Sequence, residues 1–406
     1  MNATPGMRRI FIGRQPIYDR ALQVYAYELL YRSGEENSAG LPDGDAATSQ
    51  VILNAFTEIG IENLVGNHLA FINLTRGFII GDNPLPLTQG KLVLEVLEDI
   101  VVDAALIDAV RKLSQAGYLI ALDDFIFHES LRPLIDVADI IKIDVRALTR
   151  ETVSAHVTEL RRSKARLLAE KVETQEEYEY YKDLGFDYFQ GYFFSKPKVI
   201  TRHAIPANRL AILRLLGRLH DPAVSINELN ALISQDVSLS YKLLRYINSA
   251  FFALPKKVES LHQAIVYLGN QAIKTWVTLI ALSGIDDKPH ELMTVALVRG
   301  KMCELLAERL KLPNKDSYFI TGLFSTLDAM MDAPLAQVVE NLPLSPEVVA
   351  ALLRHEGQAG QALHCILAYE RGEWDQIDCN RMDDSVIVQS YLDAVAWADQ
   401  AVKELG

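Results

Sequence analysis

Residues 140–169 read IIKIDVRALTRETVSAHVTELRRSKARLLA and contain the clearest strand–helix–strand pattern in the chain. The apolar runs at 140–145 and 166–169 predict two buried strands, and the amphipathic segment at 151–161 predicts a helix between them. A helical crossover joins parallel strands, whereas antiparallel strands need only a short turn. The stretch therefore predicts one βαβ unit, and the same alternation continues on both sides of it.

The alternation of strands and helices runs from residue 8 to about residue 198. Amphipathic segments near 46–60, 103–116 and 174–184 predict further helices between strands. The predicted strands are Ile10–Ile12, Val24–Tyr31, Leu69–Leu74, Leu92–Leu97, Leu119–Leu122, Ile140–Val145, Arg166–Ala169 and Tyr188–Phe194. About eight strands in fewer than roughly 200 residues indicate a compact, TIM-like (β/α) barrel.

The strand pattern stops near residue 200, and helical patterns continue to the end of the chain. The segment Ser195–Pro206, with its prolines and basic residues, marks the predicted boundary. Helices are predicted near 207–219, 225–234, 238–248, 260–282, 292–310, 346–355, 360–371 and 388–403. The sequence therefore predicts two domains, a barrel at 1–200 and an all-helical domain at 201–406.

The charge balance and the cysteines restrict the partners and the compartment. The 406 residues include 40 Lys and Arg against 53 Asp and Glu, a formal net charge of −13. Binding of a nucleic-acid polymer requires clustered cations, so we expect no such partner. The longest uncharged apolar stretch, Thr275–Ile285, is far shorter than the roughly 20 residues of a membrane span, so we expect no membrane association. Cys303, Cys365 and Cys379 form no CxxC pair, and there is no signal-peptide pattern, which indicates reduced thiols in a cytoplasmic protein.

Polar side chains interrupt or end the apolar strands of the first half. They are Glu28, Asn73, Glu95, Asp123, Asp124, Lys142 and Glu170. A single carboxylate at a strand end more often caps a helix or faces solvent. As a set, however, they would meet where the carboxyl ends of parallel barrel strands converge on one rim, and there the carboxylates would repel one another without divalent cations. Oxygen ligands favour Mg²⁺, Mn²⁺ or Ca²⁺ over Zn²⁺.

Residues 10–198 resemble the EAL domain of cyclic-di-GMP phosphodiesterases. The resemblance rests on motifs that occur in the family's order: Gln15-Pro16-Ile17, Glu28-Leu29-Leu30-Tyr31-Arg32, Phe71-Ile72-Asn73-Leu74, Glu95-Val96-Leu97-Glu98, Asp123-Asp124-Phe125, Ile141-Lys142-Ile143-Asp144, Ala169-Glu170-Lys171-Val172-Glu173 and Gln190-Gly191-Tyr192. Each motif alone is weakly specific, whereas the set is very specific. The resemblance implies a metal-dependent enzyme that binds cyclic-di-GMP and hydrolyses it to linear pGpG by a two-metal mechanism.

The resemblance also implies a role for each matched residue. Glu28, Asn73, Glu95 and Asp123 would bind a first metal, and Asp124 would bind a second, with Asp123 shared. Lys142 would orient or deprotonate the attacking water, and Glu170 would lie at the metal–water cluster. Gln15, Gln190 and Arg32 would bind the substrate, with Arg32 on a phosphate. The two ions would be Mg²⁺ or Mn²⁺.

Two positions depart from the family pattern. Residues 126–130, Ile-Phe-His-Glu-Ser, replace the usual Gly-Thr-Gly-Tyr-Ser-Ser-type loop, and Lys171 stands where the family usually has Gly. Glu98, which we count with the catalytic residues, matches the residue that anchors this loop. The family's loop couples dimer contacts to metal binding, so two functions stay open. The first is an active phosphodiesterase, for which the resemblance also implies a homodimer. The second is a catalytically weak or inactive adaptor that senses cyclic-di-GMP or scaffolds a partner.

Residues 201–406 resemble an HDOD domain, a non-catalytic relative of HD-domain phosphohydrolases. Ser325 and Thr326 stand at the places of the His-Asp pair, and neither hydroxyl replaces an imidazole or a carboxylate on a divalent metal. We therefore expect no chemistry in this domain. The order EAL then HDOD resembles a bacterial two-domain signalling family and implies that the helical domain regulates the barrel or binds a protein partner, which the sequence does not name.

Overall fold

The computed structural model of the chain describes residues 10–33, 60–81, 90–98, 100–193, 207–221, 223–249, 252, 257–285, 288–374, 377, 379 and 382–405. These residues divide into two compact units. The first comprises the described residues of Met1–Phe193, Tyr369–Asp375 and Asp383–Val388, and the second those of Phe194–Ala368, Gln376–Met382 and Gln389–Gly406. The predicted division at residue 200 falls outside the described residues and stays a prediction.

Eight strands close into a barrel in the first unit, in the order of the sequence. They are β1 (Ile10–Asp19), β2 (Val24–Ser33), β3 (Leu69–Leu74), β4 (Leu92–Val96), β5 (Leu119–Leu122), β6 (Ile140–Asp144), β7 (Arg166–Glu170) and β8 (Tyr188–Gln190). The described helices between them are α1 (Ile61–Val65), α2 (Arg76–Ile80), α3 (Ala104–Gln115), α4 (Arg132–Ile135), α5 (Arg150–Leu160) and α6 (Gln175–Leu184). The predicted (β/α) barrel is confirmed, while the helix predicted near 46–60 lies outside the described residues.

The first strand runs against the rest of the barrel. β1 pairs antiparallel with β2 and with β8, whereas the neighbours from β2 to β8 pair in parallel. Only residues 20–23 separate β1 from β2, and so short a connection makes a hairpin and no helical crossover. The sequence pattern predicted a strand at Ile10–Ile12 and missed its continuation to Asp19, because Arg14 and Gln15 interrupt the apolar run.

One side chain from each strand fills the interior of the barrel. This interior layer consists of Ile17, Ala26, Phe71, Val93, Ala121, Ile140, Leu168 and Tyr188, each at most 4% exposed. Because side chains alternate along a strand, a residue two positions away from the layer also points into the barrel.

From residue 207 onward, the described chain is helical. The helices are α7 (Ala207–Leu219), α8 (Ile226–Ser234), α9 (Val237–Ile247), α10 (Leu261–Ser283), α11 (His290–Arg309), α12 (Lys315–Phe324), α13 (Leu327–Met331), α14 (Leu335–Glu340), α15 (Pro346–Arg354), α16 (Gly357–Glu370) and α17 (Asp384–Leu405). The predicted all-helical architecture is confirmed. The pattern missed α12, α13 and α14, because α12 and α13 are buried on nearly all sides and α14 is short, so none shows a clear amphipathic period.

One described helix, α10, is long and apolar enough to span a membrane, with a mean hydropathy of 1.2 in its most apolar window. Half of that window is buried inside the structure. The helix is also interrupted at Gly269, whose φ of 83° is non-helical. The length and composition of this helix are therefore weak evidence for a membrane span.

The cysteines differ from the expectation of reduced thiols. Cys365 in α16 forms a disulfide with Cys379, and the two Cα atoms are 5.8 Å apart. Cys303 is a free, buried thiol. The expectation was wrong for the first pair because its pairing depends on how the chain returns after α16, which a sequence separation of 14 does not reveal.

Candidate active site

The interior layer explains how distant residues reach one rim of the barrel. Each predicted site residue in the barrel interior lies two positions from a member of that layer. The pairs are Ala26 and Glu28, Phe71 and Asn73, Val93 and Glu95, Ala121 and Asp123, Ile140 and Lys142, Leu168 and Glu170, Tyr188 and Gln190, and, on the antiparallel β1, Ile17 and Gln15. Strand alternation therefore points these polar side chains into the barrel at the carboxyl ends of the parallel strands, where barrel enzymes hold their substrates.

The ammonium group of Lys142 lies at the centre of this rim. The side chain is 1% exposed. Its Nζ lies 2.6 Å from Glu95 Oε1, 2.7 Å from Asp123 Oδ1, 3.0 Å from Glu170 Oε1 and 3.3 Å from Glu28 Oε2. We call these four residues the carboxylate ring. One buried cation thus holds together acidic side chains from four separate segments of the barrel.

Burial and the neighbouring charges shift the pKa values of Lys142 and of the ring carboxyl groups. Burial acts to lower the pKa of Lys142, but Glu28, Glu95, Glu170 and Asp123 outweigh it and hold the pKa well above its ordinary value. Burial, followed by the charge of Glu28, raises the pKa of Glu95 well above its ordinary range. Burial raises the pKa of Glu170 to about 8. The pKa values of the lysine, of Glu95 and of Glu170 are therefore all shifted upward.

Glu28 is held in position by side-chain amides. Although burial acts to raise the pKa of Glu28, the Lys142 ammonium and the Gln190 amide keep it below its ordinary value. Gln190 Nε2 donates to Glu28 Oε2 at 2.7 Å and to Gln15 Oε1 at 2.9 Å. Asn73 Nδ2 lies 3.4 Å from Glu28 Oε1. The predicted residues Gln15, Gln190 and Asn73 thus adjoin the carboxylate ring.

A second ionic group lies beside the ring, at the ends of β5, β6 and β7. Asp124 has a φ of 39°, so its side chain diverges from that of Asp123. The nearest cation is Lys171, whose Nζ lies 3.9 Å from Asp124 Oδ2 and 2.5 Å from Asp144 Oδ2. Burial raises the pKa of Asp124, although Lys171 acts to lower it. We call Asp124, Asp144 and Lys171 the rim triad.

Of the two remaining predicted residues, the structure describes the side chain of Glu98 alone. Glu98 is exposed and, with Asp123 and Asp124, lines a cavity of about 260 Å³ whose other walls are mostly apolar. It is not one of the four carboxyl groups that contact Lys142 Nζ among the described residues. Arg32 lies in β2 and pairs with Phe11 of β1, but its side chain lies outside the described atoms.

The donor atoms at the rim suit a hard divalent cation. Five buried oxygens there have neither a hydrogen-bond nor an ion-pair partner among the described residues: Asn73 Oδ1, Glu95 Oε2, Asp124 Oδ1, Glu170 Oε2 and Gln190 Oε1. Buried oxygens are rarely left in this state unless an ion or water meets them. As the side chains stand, no group of three or more His, Cys, Asp or Glu in the described part of the chain is arranged to hold a metal ion. The carboxyl groups of the ring contact the Lys142 ammonium in this arrangement.

Sequence reasoning missed Asp144 as a site residue. Asp144 ends β6 just as Glu170 ends β7, and its Oδ1 accepts from the backbone N–H groups of Arg146 at 2.8 Å and Ala147 at 3.1 Å. Its spacing could have identified it, since Asp144 lies two residues after Lys142. An Asp at a strand end commonly forms a turn, however, so the sequence provided no reason to predict that Asp144 belongs to the site.

Two family models match the chain in sequence order. The EAL domain matches residues 67–197, and the HDOD domain matches residues 205–341. The protein YuxH of Bacillus subtilis is 37% identical over 400 residues, which cover 96% of this chain and 98% of YuxH. Cyclic di-GMP phosphodiesterase CdgJ of Vibrio cholerae is 33% identical over 401 residues, which cover 97% of this chain and 93% of CdgJ. The chain belongs to the EAL–HDOD family.

One solved structure that the chain matches is the Klebsiella pneumoniae BlrP1 manganese/cyclic-di-GMP complex at pH 9.0. It is 22% identical, with a TM-score of 0.38, and the match covers 47% of this chain and 56% of that chain. The predicted resemblance to the EAL–HDOD family is confirmed by the two family models and by relatives that align over nearly the full chain.

In this EAL–HDOD protein, the segment that would hold the His-Asp pair of an HD enzyme is closed by internal bonds. Ser325 Oγ donates to the carbonyl of Gly322 at 2.7 Å and accepts from the Arg299 guanidinium at 3.2 Å. Thr326 is buried, and its hydroxyl donates to the carbonyl of Leu323 at 3.1 Å. A buried guanidinium beside Ser325 adds positive charge where an HD enzyme would bind a cation.

Proposed function

We propose that the barrel hydrolyses cyclic-di-GMP to linear pGpG with two divalent cations, Mg²⁺ or Mn²⁺. The observation behind the proposal is the carboxylate ring: Glu28, Glu95, Asp123 and Glu170 surround Lys142 at the carboxyl rim. The support from comparison is that a relative named as a cyclic di-GMP phosphodiesterase aligns over 97% of this chain.

The two cations would be bound by two sets of rim residues that share Asp123. Glu28, Asn73, Glu95 and Asp123 would hold the first, and Asp124 would hold the second, with Asp123 shared. The unpartnered oxygens of Asn73 and Asp124 support this assignment. When bound, a pair of divalent cations lowers the pKa of a shared water and stabilises charge on the phosphate during in-line displacement.

Lys142 would orient the attacking water by donating a hydrogen bond to it. The neighbouring carboxyl groups raise the pKa of Lys142 above the ordinary lysine range, which favours the ammonium form, a donor of hydrogen bonds. Glu170 Oε1 contacts the same Lys142 ammonium, whereas Glu170 Oε2 has no hydrogen-bond partner in the described structure. That oxygen would accept a hydrogen bond from the water that Lys142 orients.

The substrate would lie across the mouth of the barrel. Gln15 and Gln190 are joined by a hydrogen bond and present amide groups next to Glu28, where they would bind polar atoms of the nucleotide. Arg32, four residues after Glu28 on the same strand, would hold a phosphate.

The second candidate function is an adaptor that binds cyclic-di-GMP, or a protein, without turnover. It is favoured by the changed loop at 126–130 and by the closed segment around Ser325. A helical domain without its own metal site would then transmit the state of the barrel to a protein partner.

The test is hydrolysis of cyclic-di-GMP by the full chain in Mg²⁺ and in Mn²⁺, with pGpG read by chromatography. We expect turnover that EDTA abolishes and that Glu28→Gln reduces by at least about a hundredfold, since a positioned catalytic group contributes on that order. Glu62→Gln is the matched control, because Glu62 is an exposed glutamate paired with Lys91.

Two results would separate the candidates. Binding of cyclic-di-GMP without pGpG formation, in folded protein with both metals supplied, would establish the adaptor. Wild-type turnover in Glu28→Gln would contradict the assignment of the first cation.

Three further properties belong to the same proposal. We propose that the protein acts in the cytoplasm, that the barrel forms a homodimer, and that the helical domain binds an as yet unidentified protein. Light scattering of the full chain tests the dimer directly, and a monomeric mass at high concentration would contradict it.

A further inference from the structure

Lys171 is a cation placed next to the predicted ligand of the second metal. Its Nζ lies 3.9 Å from Asp124 Oδ2. Asp124 Oδ1 is buried and has no hydrogen-bond partner among the described residues. We propose that Lys171 is a resident competitor of the second divalent cation and sets the metal concentration at which the site becomes fully loaded. This inference rests on the proposed two-metal function.

Asp144 holds the lysine in place. One oxygen of Asp144 accepts two backbone N–H groups, from Arg146 and Ala147, and the other accepts from Lys171 Nζ at 2.5 Å. The ammonium is thus anchored at the rim and does not swing freely in solvent.

The backbone at Lys171 also directs the side chain toward the rim. Lys171 has a φ of 58°, in the left-handed region that residues with a Cβ seldom adopt. Glycine takes this conformation without cost, so a lysine here is the less favourable residue for the backbone. The strain is tolerated at a position where the side chain forms an ion pair with Asp144 and reaches Asp124.

Electrostatics gives the direction of the effect. An ammonium about 4 Å from a ligand oxygen repels a divalent cation bound to that oxygen and attracts the carboxylate in its absence. Lys171 is 55% exposed, so solvent weakens this repulsion without removing it. The second cation is therefore bound more weakly than it would be without Lys171, and removal of the lysine charge strengthens its binding.

The experiment measures bound Mn²⁺ by electron paramagnetic resonance during titration of the full chain, with no substrate present. Lys171→Gly and Lys171→Asn remove the charge, and both residues accept a positive φ. We expect both variants to bind the second ion at least about tenfold more tightly than wild type. Lys171→Arg keeps the charge and is expected to match wild type.

Lys164→Ala is the matched control. Lys164 is also 55% exposed and is paired with an aspartate, Asp139, at 3.1 Å, but it lies near the start of β7, away from Asp124. The Lys164→Ala variant should bind the second Mn²⁺ ion with the same affinity as wild type.

The two proposals fail differently in this titration. Binding of two ions with the same second-site affinity in wild type, Lys171→Gly and Lys171→Asn would overturn the role of Lys171 and leave the two-metal function intact. Absence of Mn²⁺ binding in every variant would overturn both. Weaker second-site binding in the neutral variants would show that Lys171 supports the site and would also contradict the inference.

Discussion

Lys142 is the residue on which the arrangement of the rim depends. Its ammonium is within 3.3 Å of an oxygen from each member of the carboxylate ring, and the lysine and Glu95 are almost completely buried. The Ile-Lys-Ile pattern around it predicted a buried lysine with acidic partners, because an unpaired ammonium in a barrel interior is too costly.

Replacement of Lys142 by Met is expected to destabilise the metal-free protein. The change leaves buried carboxylates without their cation, and breaking a buried ion pair from one side costs about 3 to 5 kcal/mol. Thermal unfolding in EDTA would measure the loss, and Lys164→Met, at an exposed ion pair, is expected to cost under about 1 kcal/mol. Equal unfolding temperatures for Lys142→Met and wild type would mean that the lysine does not hold the ring.

Site residues could be predicted from the sequence where their position along a strand decides which way the side chain points. Glu95, Asp123 and Glu170 could be predicted to share a rim because each ends, nearly ends or directly follows an apolar strand. The rim triad could not be predicted, since it depends on a left-handed backbone at Lys171 and on the turn that fixes Asp144. Neither has a signature in the residue types alone.

At the scale of elements, the changed loop after β5 is held by ring packing. Phe127 lies between the guanidinium of Arg132, 5.3 Å from the ring centroid, and the ring of His156 on α5, 6.4 Å away. His128 accepts from the N–H of Ser130 and so begins the short 3₁₀ turn Glu129–Leu131. The loop that differs from the family pattern is thus an ordered element with its own contacts.

Predictions of elements succeeded where an apolar period was clear. The strand at Leu119–Leu122 was predicted with its observed bounds, while β1 was cut short by its polar residues. The orientation of β1 could be derived only after its end at Asp19 was known, because the length of the connection to β2 decides between hairpin and crossover.

His220 joins the end of α7 to the middle of α10 and makes the helical unit sensitive to acid. The hydroxyl of Thr278 donates to the carbonyl of Lys274 at 2.8 Å, so His220 Nε2–H donates to Thr278 Oγ1 at 3.0 Å. Burial, with the charge of Lys274, lowers the pKa of His220 to about 4. The neutral imidazole is therefore the form that the fold contains.

The free energy of unfolding depends on pH because the pKa of His220 differs between the folded and the unfolded chain. Between the ordinary histidine pKa of about 6.5 and the folded value of about 4, the unfolded chain binds a proton that the folded chain does not. The free energy of unfolding should fall as the pH drops through this window, by up to about 3 kcal/mol from this residue. Urea unfolding of the full chain from pH 7 to pH 4 measures the slope.

His220→Gln is expected to flatten that slope, because glutamine does not titrate and still offers a hydrogen bond to Thr278. His262→Gln is the control, since His262 is an exposed histidine on α10. An unchanged slope in His220→Gln would mean that other groups account for the acid sensitivity.

At the scale of the whole molecule, the two units differ in what their polar residues can bind. The first unit contains carboxylates and unpartnered oxygens around one rim. In the second unit, the segment around Ser325 is bonded internally and faces the Arg299 guanidinium. The sequence predicted this contrast from residue types, but the presence of Arg299 beside Ser325 required the packing of α11 against α12.

The whole chain is therefore expected to bind two Mn²⁺ ions, both in the barrel. Asp124→Asn should lower the number to one, because it removes the charged ligand of the second ion while Asp123 and the carboxylate ring remain. Ser325→Ala should leave the number at two, because the Ser325 hydroxyl is already bonded to Gly322 and Arg299 and offers no site for a cation. Equilibrium dialysis of the full chain and both variants, with metal counted by mass spectrometry, measures the stoichiometry. Loss of an ion in Ser325→Ala would show that the helical unit binds metal, and two ions in Asp124→Asn would place the second cation on other residues.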